Sequence, residues 1–203
     1  MTPVGILGGT FDPIHNGHVA AAEGARHLLG LDRVYLMPNG QPPHKPGQSV
    51  TPAHHRRAMV EAVIARNPHL ALLADEIERS EPSYTVETLR RLTATHPDWM
   101  IHFIVGMDSL ISLHTWRAPE EILRLARLIV VNRPGFPTAE GDDAIRALPT
   151  DLQERVRIVT IPGVAVAARE LRALAAAGYP LRYLVPDEVE AYALAHRLYQ
   201  KDA

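Results

Sequence analysis

The chain has 203 residues, 46% of them hydrophobic, which is enough apolar content to bury the core of one α/β domain. A formal net charge of −2 provides no basic field of the kind nucleic acid requires, so anionic ligands must be held by individual Lys, Arg and His side chains. With no cysteine, disulfides, Cys-ligated zinc and iron–sulfur clusters are excluded; with no basic leader and no bilayer-length apolar run, the expectation is a cytoplasmic protein acting without nucleic acid or membrane.

The first predicted strand, Val4–Leu7, runs into Gly8-Gly9-Thr10-Phe11-Asp12-Pro13-Ile14-His15-Asn16-Gly17-His18. Gly8 and Gly9 lack a Cβ, so they are expected to turn the chain sharply and let an anion approach the main-chain N–H groups. An Ala- and Leu-rich helix is predicted over Gly17–Leu29, closed by Gly30, with His18 in its first turn, where the helix dipole favours negative charge. His15 and His18 are three apart, which puts both imidazoles on one side, able to donate hydrogen bonds to a single phosphate group. A histidine pair can also signal a metal, but helical metal pairs more often sit four apart beside a carboxylate. Asp12 lies beyond Pro13, so no protein-held metal is assigned.

Further strands are predicted at Val34–Met37, Leu70–Ala74, Ile101–Val105, Leu128–Val131 and Arg157–Ile161. Helices are predicted at Pro52–Arg66, Thr85–Thr95, Pro119–Leu125 and Asp142–Ala147, and two more, Ala168–Ala177 and Pro186–Leu198, close the chain, with Pro186 expected in the first turn. The alternation predicts an α/β, Rossmann-like, doubly wound parallel sheet with a small C-terminal helical part over about 164–203, the whole of 1–203 forming one domain. Ligands of such sheets bind beyond the carboxyl ends of the strands, so the loops there are the places to look. After the second strand, Pro42-Pro43-His44-Lys45 carries Lys45, which can reach a phosphate. After the third comes Glu76-Ile77-Glu78-Arg79, then Ser83-Tyr84-Thr85, where Ser83 or Thr85 can cap the next helix. After the fourth, Gly106 and Asp108 can face ribose hydroxyls or a cation, and Trp116 can stack on a flat ring. After the fifth, Arg133 supplies another cation. Turn chemistry, helix capping and packing are the plain alternatives for these loops.

The segment GGTFDPIHNGH resembles the signature of the nucleotidylyltransferase superfamily, whose histidine element binds a nucleotide triphosphate. Over nearly the whole chain, the Pro42–Lys45 loop, Arg56 with Met59, Glu76-Ile77-Glu78-Arg79, Ser83-Tyr84-Thr85, Gly106-Met107-Asp108, Trp116, Asn132-Arg133-Pro134-Gly135 and Tyr183-Leu184-Val185-Pro186 resemble the bacterial nicotinate mononucleotide adenylyltransferase family. The resemblance implies adenylyl transfer from ATP to nicotinate mononucleotide, giving nicotinate adenine dinucleotide and pyrophosphate in NAD biosynthesis, with Mg²⁺ bridging phosphate oxygens. It assigns His15, His18 and Lys45 to the reacting phosphates, and Gly8, Gly9, Thr10, Phe11, His18, Gly106, Asp108 and Arg172 to ATP. Lys45, Thr85, Asp108, Trp116 and Arg133 are assigned to the acceptor, and a homo-oligomer is left open.

One segment departs from the pattern. The family carries a Ser/Thr-rich stretch before its last phosphate-binding arginine, whereas here Val166-Ala167-Ala168-Arg169-Glu170-Leu171-Arg172 keeps Arg172 and loses the hydroxyls. Backbone N–H groups at a helix start survive any substitution, and Arg169 can add charge. Adenylyl transfer to another phosphorylated acceptor, and nucleotide binding without turnover, stand as the alternative functions.

Overall fold

A computed structural model describes residues 1–40, 50–79, 82–132 and 137–200. Six strands form one parallel sheet: β1 (Thr2–Gly9), β2 (Arg33–Pro38), β3 (Leu70–Leu72), β4 (Trp99–Gly106), β5 (Arg127–Asn132) and β6 (Val156–Thr160). Their order is β3-β2-β1-β4-β5-β6, so the chain winds outward from β1 in one direction, then returns to β4 and winds in the other. The switch in winding lies between β1 and β4, where Leu7 pairs with Ile104, and it opens a crevice at the carboxyl ends of those two strands.

Buried strands covered on both faces read as continuous apolar runs, and alternate residues along each strand feed two separate cores. On one face Leu7, Leu36, Ile104 and Ile129 pack with α1 (Asn16–Leu29), α2 (Ala53–Ile64), α8 (Ala168–Ala176) and α9 (Asp187–Ala195). On the other, Ile6, Phe103, Val105 and Val130 pack with α3 (Thr85–Thr95), α4 (Met107–Ile111), α5 (Pro119–Leu125), α6 (Ala139–Arg146) and α7 (Thr150–Gln153). The C-terminal helices α8 and α9 thus share a core with α1, contributing Leu171 and Val189. Among the described residues no helix is long and apolar enough to cross a membrane.

All six predicted strands are present. β3 is shorter than expected because it sits at the sheet edge and pairs only with Val34, Tyr35 and Leu36. Helix α1 ends where Gly30 adopts φ 61° and the N–H groups of Gly30 and Leu31 return to the carbonyls of His27 and Arg26. Helices α4 and α7 were not foreseen, being four or five residues long and therefore lacking a periodic signature. Pro186 lies one position before α9 rather than inside its first turn, leaving Asp187, Glu188 and Glu190 there to meet the helix dipole.

Candidate active site

The glycine pair does not turn the chain. Gly8 and Gly9 are the last residues of β1, in register with Met37 and Pro38 of β2. The turn falls two residues later, where Phe11 takes φ 48° and its buried ring doubles back, with Cε1 3.0 Å from the position a Cβ on Gly9 would occupy. Glycine at position 9 therefore makes room for a ring of its own loop. Gly8 lines open space against Phe103.

The loop brings the two histidines together as expected. Their rings stack at 3.6 Å between centroids and 20° between planes, and the Phe11 ring meets His18 edge-on at 5.0 Å. The His15 backbone N–H donates to Nδ1 of His18 at 3.3 Å. In neutral His18 the proton must then reside on Nε2, leaving that nitrogen as a donor. Burial, and then the nearby His15, hold the His18 pKa well below the ordinary histidine value, so the imidazole is neutral at pH 7.

A cavity of about 660 Å³ opens over the switch point. Gly8, Thr10, Phe11, His15 and His18 line it from the first loop, and Gly106, Asp108 and Trp116 from the chain after β4. Ala167, Ala168, Arg169 and Arg172 line it from the start of α8. Helices α1 and α8 thus both begin at this cavity, and each N-terminus favours an anion. The departing segment faces the site, and with Ala167 preceding α8 no side chain caps that helix.

A second cavity of about 460 Å³ adjoins the first, sharing Gly8, Phe103 and Trp116 with it. Thr85 lies here with Tyr84 and Gly9, so Gly9 borders the second cavity and Asp108 the first only. Trp116 meets Phe103 edge-on at 6.4 Å. Neither Ser83 nor Thr85 caps α3: Tyr84 precedes the helix, Thr85 opens it, and the Ser83 hydroxyl accepts from the Gly40 backbone N–H at 3.3 Å. Lys45 and Arg133 lie outside the described residues, as do Pro42, Pro43 and His44.

Two buried charged residues that sequence reasoning left without a role hold this architecture. Arg56 is 2% exposed and donates to four backbone carbonyls, those of Thr10 (2.9 Å), Asn39 (2.8 Å), Gly40 (3.3 Å) and Thr51 (2.9 Å). It ties the loop after β1 to the loop after β2. Burial works against its charge, while Asp12 supports it. Asp12, equally buried, accepts from the Tyr199 hydroxyl at 2.8 Å and the Thr51 N–H at 3.2 Å, and its carbonyl accepts from Arg172 at 2.7 Å. Asn16 adds a bond to the Tyr183 carbonyl at 2.7 Å, so the C-terminal part is fastened to the first loop in several places. Separations of 160 and 187 residues leave no local sequence signal for the contacts at Asp12.

Comparisons with known proteins identify the chain as a nucleotidylyltransferase. The cytidylyltransferase-like family model matches residues 6–172. A probable nicotinate-nucleotide adenylyltransferase of Symbiobacterium thermophilum is 54% identical over 98% of this chain and 96% of its own. One from Nocardioides is 42% identical over 96% and 93%. The fold also matches a Plasmodium falciparum nicotinic acid mononucleotide adenylyltransferase complexed with NaAD, with TM-score 0.76 and 18% identity over 98% of both chains. The chain belongs to the nicotinate-nucleotide adenylyltransferase family.

Proposed function

We propose that the chain transfers the adenylyl group of ATP to the 5′-phosphate of nicotinate mononucleotide, forming nicotinate adenine dinucleotide and releasing pyrophosphate. The observation that carries this reading is the pair of adjoining cavities sharing Gly8, Phe103 and Trp116, one bordered by a histidine pair and two arginines, the other by an aromatic wall and a helix start. The acceptor phosphate oxygen bonds to the α-phosphorus as the bond to the β-phosphate oxygen breaks. Such a transfer rests on positioning and charge neutralisation and needs no activated protein nucleophile.

His18 donates from Nε2 to phosphate oxygen, its other nitrogen being occupied by the His15 N–H. His15 holds the stacked ring in place. Arg172, anchored on the Asp12 carbonyl, and Arg169 meet the triphosphate tail at the start of α8. Thr10, Phe11, Gly106 and Asp108 border the nucleoside. Thr85 and Trp116 border the acceptor ring, and by the resemblance Lys45 serves the phosphates around the transfer and Arg133 the acceptor. Mg²⁺ would enter with ATP, and of the carboxylates lining the first cavity Asp12 is engaged by Tyr199 and Thr51, which leaves Asp108 as the residue that would meet the ion. When bound, the ion would neutralise phosphate charge.

The test is pyrophosphate release by purified protein with ATP, Mg²⁺ and a panel of acceptors: nicotinate mononucleotide, nicotinamide mononucleotide and phosphopantetheine. Release with the first above the others supports the reading, and release only with phosphopantetheine replaces it. The loss of hydroxyls at Ala167 and Ala168 favours one rival, a protein that binds ATP without turnover. ATP binding with no release for any acceptor establishes that rival.

A further inference from the structure

We propose that Arg117 is a specificity-determining residue, its charge favouring an acceptor ring that bears a carboxylate over one that bears an amide. The inference rests on the adenylyl-transfer reading and deepens it. Among the described residues lining the second cavity, only Glu76 and Arg117 carry ionisable charge. Glu76 is buried and engaged: its carboxylate accepts from the Thr88 hydroxyl at 2.8 Å and from Ser83, and burial raises its pKa. Arg117 is 58% exposed and rests on the Tyr84 ring, its guanidinium carbon 5.0 Å from the ring centroid.

Three arginines border the adjoining space, but they are not equally neutralised. Arg91 is bound to Asp75 by two hydrogen bonds, and Arg79 lies 3.9 Å from the same carboxylate. The only acid beside Arg117 among these pairs is Glu87, at 3.7 Å, and that carboxylate is already bonded to Arg90 at 3.0 Å. Arg79 and Arg117 are thus both weakly paired, and of the two only Arg117 lines the second cavity. Its seat on Tyr84 puts that charge beside Thr85, the first residue of α3, where the helix dipole acts in the same direction. A ring carboxylate gains from both, whereas a neutral amide gains from neither.

Nicotinate and nicotinamide mononucleotides share ribose and phosphate, so the ratio of their kcat/KM values isolates the ring substituent. Because Arg117 is solvent-exposed, Arg117→Gln should lower the acid-to-amide ratio by about 2- to 5-fold, through KM for the acid, with KM for ATP unchanged. Arg117→Glu should lower it further, and Arg117→Lys should retain most of it, keeping the charge but not the stacked plane. Added salt should shrink the wild-type ratio and leave that of Arg117→Gln nearly constant. An unchanged ratio in Arg117→Glu, or equal losses for both acceptors, overturns the proposal. Absence of wild-type turnover would instead overturn adenylyl transfer. Equilibrium dialysis of the two mononucleotides against the same variants would then test Arg117 separately.

Discussion

The two halves of the cleft are built from different materials. The larger cavity is bordered by backbone held in place from behind: Arg56 and Asp12 are buried beneath the first loop, and helices α1 and α8 begin at its rim. The smaller cavity depends on side chains at the surface, notably Arg117 on Tyr84 and Trp116 against Phe103. A phosphate can be bound by N–H groups and helix ends, which backbone supplies, and on the proposed reading this would let Ala167 and Ala168 stand where the resemblance expects hydroxyls. A flat surface for an acceptor ring to stack on has no backbone substitute. The larger cavity should therefore be sensitive to its supports and its few charged donors, and the smaller to individual exposed side chains.

The residue joining the halves should give the largest effect. Arg56→Ala strands the carbonyls of Thr10, Asn39, Gly40 and Thr51 and leaves a void, and the cost should be about 3–5 kcal/mol of stability. Thermal or urea unfolding measures it. A loss under about 1 kcal/mol would mean that the loops hold one another without Arg56.

His18→Ala removes a preorganised donor while leaving the fold, and should reduce kcat by on the order of 10²–10³. Near-normal turnover would take His18 out of the mechanism. The lowered pKa carries a sign of its own. The folded protein binds the proton less readily than the unfolded chain, so stability declines as pH falls below about 6.5, where the unfolded histidine charges. Melting temperatures across that range should show the decline, and His18→Gln should make it shallower without removing it, since His55 and His102 are shifted the same way by burial.

What the sequence made legible follows from how local each feature is. The apolar runs and their alternation with helical stretches disclosed all six strands, most plainly the central ones, because a strand buried on both faces is largely apolar. The histidine pair was legible because a spacing of three across a helix start, with His15 just before α1 and His18 in its first turn, brings the two rings together. The role of Gly9 was not, since glycine signals a turn and a close approach equally, and here the approach of Phe11 decides. Asp12 and Arg56 were invisible in their roles: one meets Tyr199 and Arg172 from the far end of the chain, the other holds carbonyls that carry no side-chain signature.

The smallest effects should come from the departing segment, and they separate charge from backbone within the larger cavity. Arg172 is partly exposed and anchored on the Asp12 carbonyl, so its replacement by Ala removes a fixed guanidinium and should raise KM for ATP roughly 10-fold, with KM for the mononucleotide nearly unchanged. Arg169 lines the same cavity but is exposed, and Arg169→Ala should raise KM for ATP by only about 2- to 5-fold. Restoring the lost hydroxyls discriminates further. If backbone and arginines already satisfy the phosphates, Ala167→Ser with Ala168→Thr should leave wild-type KM for ATP nearly unchanged, yet recover part of the loss in Arg169→Ala. A large gain in the wild-type background would show that the start of α8 is not a sufficient anion site without hydroxyls, and the contrast between the two halves would then be one of degree.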